Sequence, residues 1–437
     1  MSQATSSDDF RSCIKRNSPG SRPILLLGAG APEYREFLLR QIARARPVVL
    51  VDQDPPKWAH PYVAAEAAVD LRDPETAEAS IRDAVIEFGA VGVTTYMEHF
   101  VELTARITHH FGLPGSSPAA ATACRDKAIT RRLLSEHYVP SARSYLAEDA
   151  EGAVEIGRGL GYPVVVKPRG RAGSAGVLRA DSDGDVRAAF HRALVDSVLG
   201  LEDWSVPGVL VEEYLRGPEI SAETVVLGPE QVQIVAVTRK TLGPEPQFQE
   251  IAHIVDAGDP LLTDPVLADV VTAAVQALGL TWGVLHVELR LTATGPRVIE
   301  VNGRPAGDLI PLLVERATGI NLPQALAALA VGEKPDLAPT RAEAAAIGFL
   351  YPTHAGHIQR LDVLGSVRDQ LWLERLVLTR GVGTQVAAPP HASIDDRLAH
   401  WVVTGSTAGE CAKRLDLVAN HLTARINRPA HTTSCTR

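Results

Sequence analysis

The segment VIEVNGRPAG, which begins at residue 298, is the feature that most constrains the fold. An apolar strand there carries polar side chains at every second position, namely Glu300, Asn302 and Arg304. Successive side chains of a strand point to opposite faces, so Ile299 and Val301 are expected to face the other way. The strand therefore needs a core on one face and either solvent or a polar site on the other.

The preceding segment GVLHVELRL and the turn TATGP predict an antiparallel hairpin with this strand. If the turn centres on Thr294, Glu288 faces Glu300 directly, and two opposed like charges destabilise a hairpin. A divalent cation between the two carboxylates removes the conflict, and Asn302 supplies a third oxygen ligand. A solvated face with relaxed register is the alternative, but it leaves Asn302 and Arg304 unexplained. The hairpin therefore predicts a metal site.

Size and composition exclude several classes of protein. The 437 residues are enough for two to four domains, and 45% hydrophobic with 22% charged residues is typical of a soluble globular protein. A formal charge of −9 argues against nucleic-acid binding, and no apolar run reaches the roughly 18 residues of a membrane span. The four cysteines are far apart, which favours a reducing cytoplasm without disulfides or a zinc site. Residues 1–21 are expected to be a disordered leader and residues 429–437 a loose tail.

Strand and helix patterns alternate in the first hundred residues, which predicts a parallel sheet with helices on its faces. Gly28 and Gly30 after the first strand, with Asp52 ending the second, are reminiscent of a dinucleotide-binding turn. Glu33 replaces the third glycine of that motif, and Pro32 is expected to interrupt the start of the helix. A Rossmann-like scaffold with a tight first turn is therefore preferred over a bound NAD.

The rest of the chain predicts a helix-rich segment, several strands and a final α+β region. The helical segment AAATACRDKAITRRLLSEH begins at Ala119, and the segments AAIGFLYP and WVVTGS are predicted strands near the end of the chain. A final helix is expected near Gly409–Ile426.

A glycine-rich loop follows the apolar strand that carries Lys167. Gly170, Gly173, Ser174 and Gly176 would let backbone N–H groups approach phosphate oxygens, and the lysine would add a point charge. The lysine precedes the glycines, so this is not a Walker A motif. An ordinary turn remains the alternative.

The segment VLVEEYLRGPEIS offers groups that suit a nucleoside. Glu212 could accept from the exocyclic amine of adenine, the Leu215 amide could meet a ring nitrogen, and Glu219 could bind ribose hydroxyls. Each acid taken alone could equally be a solvated surface residue, and so could Lys127 at the start of a helix.

The order of these elements, from Lys127 through the Lys167 loop and VEEYLRGPE to Glu288 and EVNGR, resembles the ATP-grasp superfamily. The segments EVNGRPAGDLIPLL and QEIAHIVDA are similar to its L-amino-acid ligase branch. The resemblance implies an α/β ATP-grasp fold with a Rossmann-like N-terminal domain, a small lid, an antiparallel-sheet ATP-binding core and an additional C-terminal α+β domain. The expected bounds are 22–118 for the first domain, 119–338 for the ATP-grasp domain with its lid at about 140–215, and 339–428 for the C-terminal ligase domain.

The resemblance also assigns roles to individual residues. Lys127, Lys167 and the loop at Gly173 and Ser174 would contact ATP phosphates, and Glu212, Leu215 and Glu219 would hold adenine and ribose. Glu288, Glu300 and Asn302 would bind two Mg²⁺ ions, for which Mn²⁺ can substitute. Arg304 would stabilise the charge that develops on the reacting carboxyl group.

The substrates would meet a different set of residues. Glu250 and His253 match the E-x-x-H pattern of the branch, so Glu250 could hold an α-ammonium and His253 could orient a carboxylate or help deprotonate the amine. Asp308 stands where some relatives place a bulky aromatic residue, which implies a roomier, negatively charged pocket, although it could instead be a helix N-cap. Glu98 follows the third strand of the first sheet and is a further candidate.

These expectations converge on an ATP-dependent carboxylate–amine ligase that makes a dipeptide or a dipeptide-like specialised metabolite, as in an antibiotic biosynthetic cluster. It would be cytoplasmic and homodimeric, with small-molecule partners. A purine-pathway ligase or a biotin-carboxylase-type subunit is the alternative within the superfamily. A nucleotide-binding protein without catalysis is the alternative outside enzymes.

Overall fold

A computed structural model describes residues 22–171, 173–195, 206–389 and 391–427. The expected leader at residues 1–21 and the expected tail at 429–437 lie outside the described residues. The described chain forms four β-sheets, and the mixed α/β architecture predicted from the sequence is confirmed.

The first sheet is parallel, with strand order β3-β2-β1-β4. Its strands are β1 (Ile24–Leu27), β2 (Val48–Asp52), β3 (Ala65–Ala68) and β4 (Val93–Thr94), and its helices are α1 (Pro32–Ala45), α2 (Pro74–Phe88) and α3 (Val101–Phe111). The first two strands are apolar runs that are buried on both faces, as parallel strands under helices require. The short strand β3 has no apolar run and was not predicted.

The first turn differs from the prediction at Pro32, and the backbone of Gly28 explains why the turn is tight. Pro32 does not interrupt α1 but is its first residue, where the missing N–H costs nothing. Gly28 has φ +80°, and a Cβ there would lie 2.6 Å from the ring of Phe100. The turn is therefore tight, and side chains rather than open space adjoin its backbone.

The second sheet is antiparallel and follows two short helices, α4 (Pro118–Arg125) and α5 (Lys127–Glu136). The helical segment after Ala119 is thus two helices, because Asp126 accepts hydrogen bonds from the amides of Ala128 and Ile129 and caps the second one. The sheet has the order β5-β8-β6-β7, and the helices α6 and α7 pack on it around a separate small core. Its elements are β5 (Ser144–Ala147), α6 (Ala150–Leu160), β6 (Val164–Pro168), β7 (Leu178–Ala180), α7 (Asp183–Val195) and β8 (Val209–Glu213).

The third sheet has eight strands and joins the ATP-grasp segment to the C-terminal segment, in the order β13-β12-β9-β10-β11-β14-β18-β16. Its strands are β9 (Glu219–Val226), β10 (Val232–Leu242), β11 (Glu250–Asp256), β12 (Gly283–Thr292), β13 (Gly295–Asn302), β14 (Ala344–Leu350), β16 (Leu373–Leu378) and β18 (Ala399–Gly405). Its helices are α8 (Pro265–Ala277), α9 (Ile310–Thr318), α10 (Leu322–Leu329) and α11 (Ala408–Ala419). The pairing of β11 with β14 makes the sheet continuous across the two segments, so the C-terminal residues are fixed relative to the ATP-grasp core.

The fourth sheet is small, with the order β17-β15-β19. Its strands are β15 (Gly356–Val363), β17 (Gln385–Val386) and β19 (Leu422–Asn427). The final helix predicted to reach Ile426 is wrong in its second half, because α11 ends at Ala419 and the chain continues as β19. The reason is that residues 422–427 pair with β15 as an antiparallel strand. Within that strand Leu422 and Ile426 are buried, while the three residues between them are exposed.

Candidate functional site

The hairpin of β12 and β13 forms the floor of the site. Glu288 lies directly opposite Glu300, as the sequence predicts. The register shifts after this pair, since Leu289 pairs with Val298 and Ile299 is left as an extra residue. Ile299 was expected in the core beside Val301, but it is half-buried and lines the cleft next to Glu300. The bulge is the reason, because one added residue turns a side chain to the other face.

A cleft with about 720 Å³ of empty volume brings the nucleotide residues together. The second sheet (β5 to β8, the segment predicted to be the lid), the glycine loop and the hairpin of β12 and β13 supply its walls. The residues predicted to contact ATP or metal that line it are Lys127, Lys167, Gly173, Ser174, Glu212, Leu215, Glu219, Glu288 and Glu300. Asn302, the remaining predicted metal ligand, is buried at 3% exposure, and its amide nitrogen is 3.4 Å from the carbonyl oxygen of His286.

The glycine loop needs its glycines for two reasons. Gly173 and Ser174 both have left-handed backbone, with φ of +69° and +56°. A Cβ on Gly170 would lie 2.4 Å from the backbone nitrogen of Val206. The loop is therefore shaped by tight backbone contacts, and its N–H groups adjoin the cleft as a phosphate site requires.

Glu212 is not free to bind adenine through both oxygens. Its carboxylate receives two hydrogen bonds from Arg131, at 2.8 and 3.1 Å, and lies 2.6 Å from the Lys167 ammonium. Burial alone would raise the pKa of Glu212, but these two cations lower it to about 2. Burial lowers the pKa of Lys167 to about 8, against the opposing effect of Glu212. Glu212 therefore anchors two cations, and a role in adenine binding would have to be shared with them.

Arg131 was missed from the sequence, although a signal was present. It follows Lys127 by four residues, so both side chains lie on one face of α5. The ammonium of Lys127 lies 2.9 Å from Glu300 and donates to the carbonyl of Arg171 at 2.6 Å. The helix α5 thus delivers two cations to the same cleft.

Lys240 is a second residue that the sequence did not reveal. Its buried ammonium lies 2.7 Å from Glu250, 3.0 Å from Glu288 and 4.0 Å from Glu219. Burial would lower its pKa, but the three carboxylates raise it well above the ordinary value. Lys240 therefore connects the predicted metal floor with the predicted substrate residue Glu250.

A buried histidine contacts the Glu288 carboxylate of the floor hairpin. His286 lies 3.0 Å from Glu223 through Nδ1 and 3.0 Å from Glu288 through Nε2. Burial opposes its protonation, but the adjacent carboxylates raise its pKa to about 9. The imidazolium fixes the orientation of the Glu288 carboxylate.

The donor set fits divalent cations such as Mg²⁺. Glu288, Glu300 and Asn302 supply hard oxygen ligands from facing positions of one hairpin. Both carboxylates are approached by an ammonium group, from Lys240 and Lys127, at 3.0 and 2.9 Å. Positive charge therefore already lies beside the oxygens of both carboxylates, where a divalent cation would bind.

A second cavity, with about 1040 Å³ of empty volume, adjoins the first. Gly173, Ser174 and Phe248 line both cavities, so the glycine loop lies between them. The second cavity is lined by Glu250 from β11 and by residues of the C-terminal segment. These C-terminal residues are Tyr351, His391, Ala392, Ser393, Ile394 and Arg397.

The substrate residues are arranged differently from the sequence prediction. His253 is fully buried, and its Nε2 lies 3.3 Å from Asp308 and 3.6 Å from Glu250. It therefore acts on the cavity only through these two carboxylates. The three side chains lie within 4.8 Å of one another, a spacing a metal could use, but Lys240 and Arg397 already neutralise the two acids.

Asp308 is neither a helix N-cap nor a free negative charge. The N-cap residue of α9 is Leu309, which makes no side-chain cap, and Asp308 itself has φ +50°. Its two oxygens accept from the guanidinium of Arg397 at 2.7 and 2.8 Å. Arg397, which packs 3.7 Å from the ring centroid of Phe349, is 1% exposed. The expected negatively charged pocket is therefore neutralised by a residue 89 positions away.

Glu98 and Arg304, two of the predicted substrate residues, lie together. Arg304 Nε is 2.6 Å from Glu98, and Arg125 donates to the same carboxylate at 3.0 Å. Burial opposes ionisation of Glu98, but the two guanidinium groups lower its pKa to about 2. Glu98 therefore holds Arg304 in place next to the end of the floor hairpin.

Comparisons with known proteins agree with this arrangement. The ATP-grasp domain family matches residues 160–311, and the family L-amino acid ligase C-terminal domain 2 matches residues 348–427. An L-amino acid ligase from Bacillus licheniformis has a similar fold, with a TM-score of 0.78 and 22% identity over 94% of this chain and 100% of that chain. Among the described helices, none is both long and apolar enough to cross a bilayer.

Curated relatives share part of their length with this chain. The uncharacterized protein y4rH of Sinorhizobium fredii is 32% identical over 73% of this chain and 65% of its own length. Human carnosine synthase 1 is 29% identical over 81% of this chain and 45% of its own length. The chain thus spans less than two thirds of either relative. Along the chain, a region that matches an ATP-grasp domain is thus followed by a region that matches an L-amino acid ligase C-terminal domain.

Proposed function

We propose that the protein is an ATP-dependent carboxylate–amine ligase that forms an amide through an acyl phosphate and releases ADP and phosphate. The product class we propose is a dipeptide or a dipeptide-like specialised metabolite, made in the cytoplasm by a homodimer. The observation that carries the proposal is the juxtaposition of a nucleotide cleft, with its oxygen-ligand floor, and a second cavity lined by Glu250 across the glycine loop.

The cleft supports phosphoryl transfer by positioning and charge. Lys127 and Lys167 are placed to bind phosphate oxygens, and Glu288, Glu300 and Asn302 would hold Mg²⁺. Mg²⁺, when bound, neutralises the charge on the transferring phosphoryl group. Because Lys127 is already paired with Glu300, it can exchange that partner for a phosphate without leaving the cleft.

Arg304 acts on the carboxylate that becomes phosphorylated. Its guanidinium is held by Glu98 beside the end of the floor strand, where a carboxylate oxygen can attack the γ-phosphorus and form an acyl phosphate with ADP as leaving group. The amine, once its ammonium form has lost a proton to water, then attacks the acyl carbon; a C–N bond forms, the C–O bond to phosphorus-bound oxygen breaks, and phosphate leaves as the nitrogen releases a second proton. The glycine loop between the cavities would exclude water from this intermediate.

Glu250 is the residue assigned to the amine substrate. Its carboxylate reaches the second cavity and can accept hydrogen bonds from an ammonium group. His253 is assigned to positioning, because it is buried against Glu250 and Asp308 and has no exposed surface.

The experiment is an incubation of the protein with ATP, Mg²⁺ and amino acids in pairs, with phosphate release and product mass recorded together. The proposal expects phosphate release that needs two substrates and coincides with a new amide mass. Glu300→Gln should abolish this release, whereas Glu230→Gln, an exposed acid on a turn, should not change it.

Two results would contradict the proposal. ADP release stimulated by bicarbonate or formate would support the purine-pathway or biotin-carboxylase-type alternative. ATP binding that no carboxylate or amine turns into ADP release would support a nucleotide-binding protein without catalysis.

A further inference from the structure

An arginine that the proposed mechanism does not use lies near the carboxyl ends of β1 and β4. The strand order of the first sheet places its topological switch point between these two strands, where ligands of open α/β sheets bind. Arg35 lies in α1 just after β1, and Tyr96 and Glu98 lie just after β4. The three residues therefore lie at the edge of this sheet where its topology would place a ligand.

Arg35 has an unusual environment for a guanidinium. Its side chain is half-buried, and its Cζ lies 5.4 Å from the centre of the Tyr96 ring. Among the residues that the structure describes, none forms a hydrogen bond or an ion pair with its guanidinium group. Burial and the like charge of Arg304 lower its pKa to about 10. A half-buried guanidinium whose donors are unused by the protein is able to bind an oxyanion.

The protein's own carboxylates do not provide that compensation. Glu98 is shared between Arg125 and Arg304, at 3.0 and 2.6 Å. Asp308 is already engaged in its bidentate ion pair. The region around Arg35 and Arg304, the arginine assigned to the activated carboxylate, therefore keeps an excess of positive charge.

We propose that Arg35 binds an oxyanion group of the amine substrate, a carboxylate or a phosphate. This inference rests on the proposed ligase function, and it restricts the acceptors to amines that carry a second, anionic group. Arg304 serves the carboxyl group that is activated, and Arg35 serves the anion that is not. The planar fork of Arg35 suits either oxyanion, because both accept two parallel N–H···O bonds.

The test measures binding by calorimetry, without turnover, for the wild type, Arg35→Met and Arg35→Lys. The probes are the common L-amino acids, their carboxamides and inorganic phosphate. Arg44→Met is the matched control, because Arg44 is an exposed arginine on the same helix. Circular dichroism and the Tm of each variant establish that it is folded.

The expected result is an amino acid that binds the wild type roughly 10- to 100-fold more tightly than its carboxamide, a preference lost in Arg35→Met and kept in Arg44→Met. Arg35→Lys should retain part of the preference. If inorganic phosphate binds more tightly than any amino acid and Arg35→Met abolishes it, the anion is a phosphate.

The inference would be overturned if no probe bound, or if the preference survived in Arg35→Met and disappeared only in Arg304→Met. Where paired incubation yields an amide, Arg35→Met should raise the KM of the amine substrate by a similar factor and leave the KM of the activated carboxylate unchanged. Because calorimetry needs no turnover, it separates a failure of this subsite from a failure of the ligase function.

Discussion

The nucleotide cleft and the second cavity share the glycine loop, but they are assembled from different parts of the chain. The cleft is built within the ATP-grasp segment, from the lid, α5 and the floor hairpin. The second cavity combines β11 and the glycine loop with residues 391–394 and Arg397 of the C-terminal segment. The difference implies that nucleotide binding and substrate binding can be altered separately, although the two cavities lie side by side.

The largest effect should come from the floor, because the proposed function assigns phosphoryl transfer to it. Glu288→Gln or Glu300→Gln removes one charged oxygen ligand, and we expect turnover to fall by roughly 10³-fold or more. A Mg²⁺ titration of ATP turnover measures the loss, with Glu230→Gln as the control. Turnover within tenfold of the wild type would mean that these acids do not hold the metal.

The next effect should separate the second cavity from the cleft. Arg397→Met leaves the partly buried Asp308 carboxylate with His253 but without its guanidinium partner, and breaking a buried ion pair costs up to about 3–5 kcal/mol in the free energy of unfolding. Urea denaturation measures this loss. Arg158→Met, which breaks an exposed ion pair with Asp183, should cost less than about 1 kcal/mol.

The same Arg397→Met variant should bind ATP as the wild type does. The carboxylate that loses its guanidinium partner lies beside Glu250 and His253, not in the first cleft. A rise in the ATP Kd of more than about tenfold, measured below the unfolding transition, would contradict the separation of the two regions.

A smaller effect is expected from pH, through Lys167. Its folded pKa of about 8 lies below the ordinary lysine value, so the ammonium form that binds phosphate is lost as the pH rises through 8. The ATP Kd should therefore increase by about tenfold per pH unit above pH 8 and stay constant below it, as calorimetry between pH 6.5 and 9.5 would measure. A flat profile would show that Lys167 does not titrate in this range or does not contact phosphate.

The smallest effect tests the bulge of β13. Ile299→Ala should raise the KM for ATP by a few fold with little loss of stability, because this side chain lines the cleft. Val301→Ala, two residues away in the core, should lower the free energy of unfolding by roughly 2 kcal/mol and leave KM unchanged. Equal effects of the two variants on stability would place both side chains in the core and contradict the bulge.

The floor of the cleft could be predicted because its evidence is local. A hairpin with a short turn fixes its own register, so the opposition of Glu288 and Glu300 followed from a few consecutive residues. The bulge at Ile299 could not be read from the apolar pattern, since an extra residue changes the face without changing the composition. Whether these residues bind metal and nucleotide remains a prediction.

The second cavity could not be predicted from local patterns. Asp308 and Arg397 are far apart in sequence, and only the continuous eight-stranded sheet brings them together. The same holds for Lys240, whose three carboxylate partners lie on the strands β9, β11 and β12. The helix predicted over the last residues failed for a related reason, because pairing with β15 outweighs the local helical pattern of LTARIN.

The most direct test of the account is the fate of the carboxylate oxygen. The protein would be incubated with ATP, Mg²⁺ and a pool of L-amino acids whose carboxyl oxygens are ¹⁸O, and the released phosphate and nucleotide would be examined by mass spectrometry. Transfer of one ¹⁸O atom to each phosphate, with ADP as the nucleotide product, is the predicted result, because the acyl phosphate leaves its bridging oxygen with phosphorus. Unlabelled phosphate, or AMP with pyrophosphate, would contradict the account.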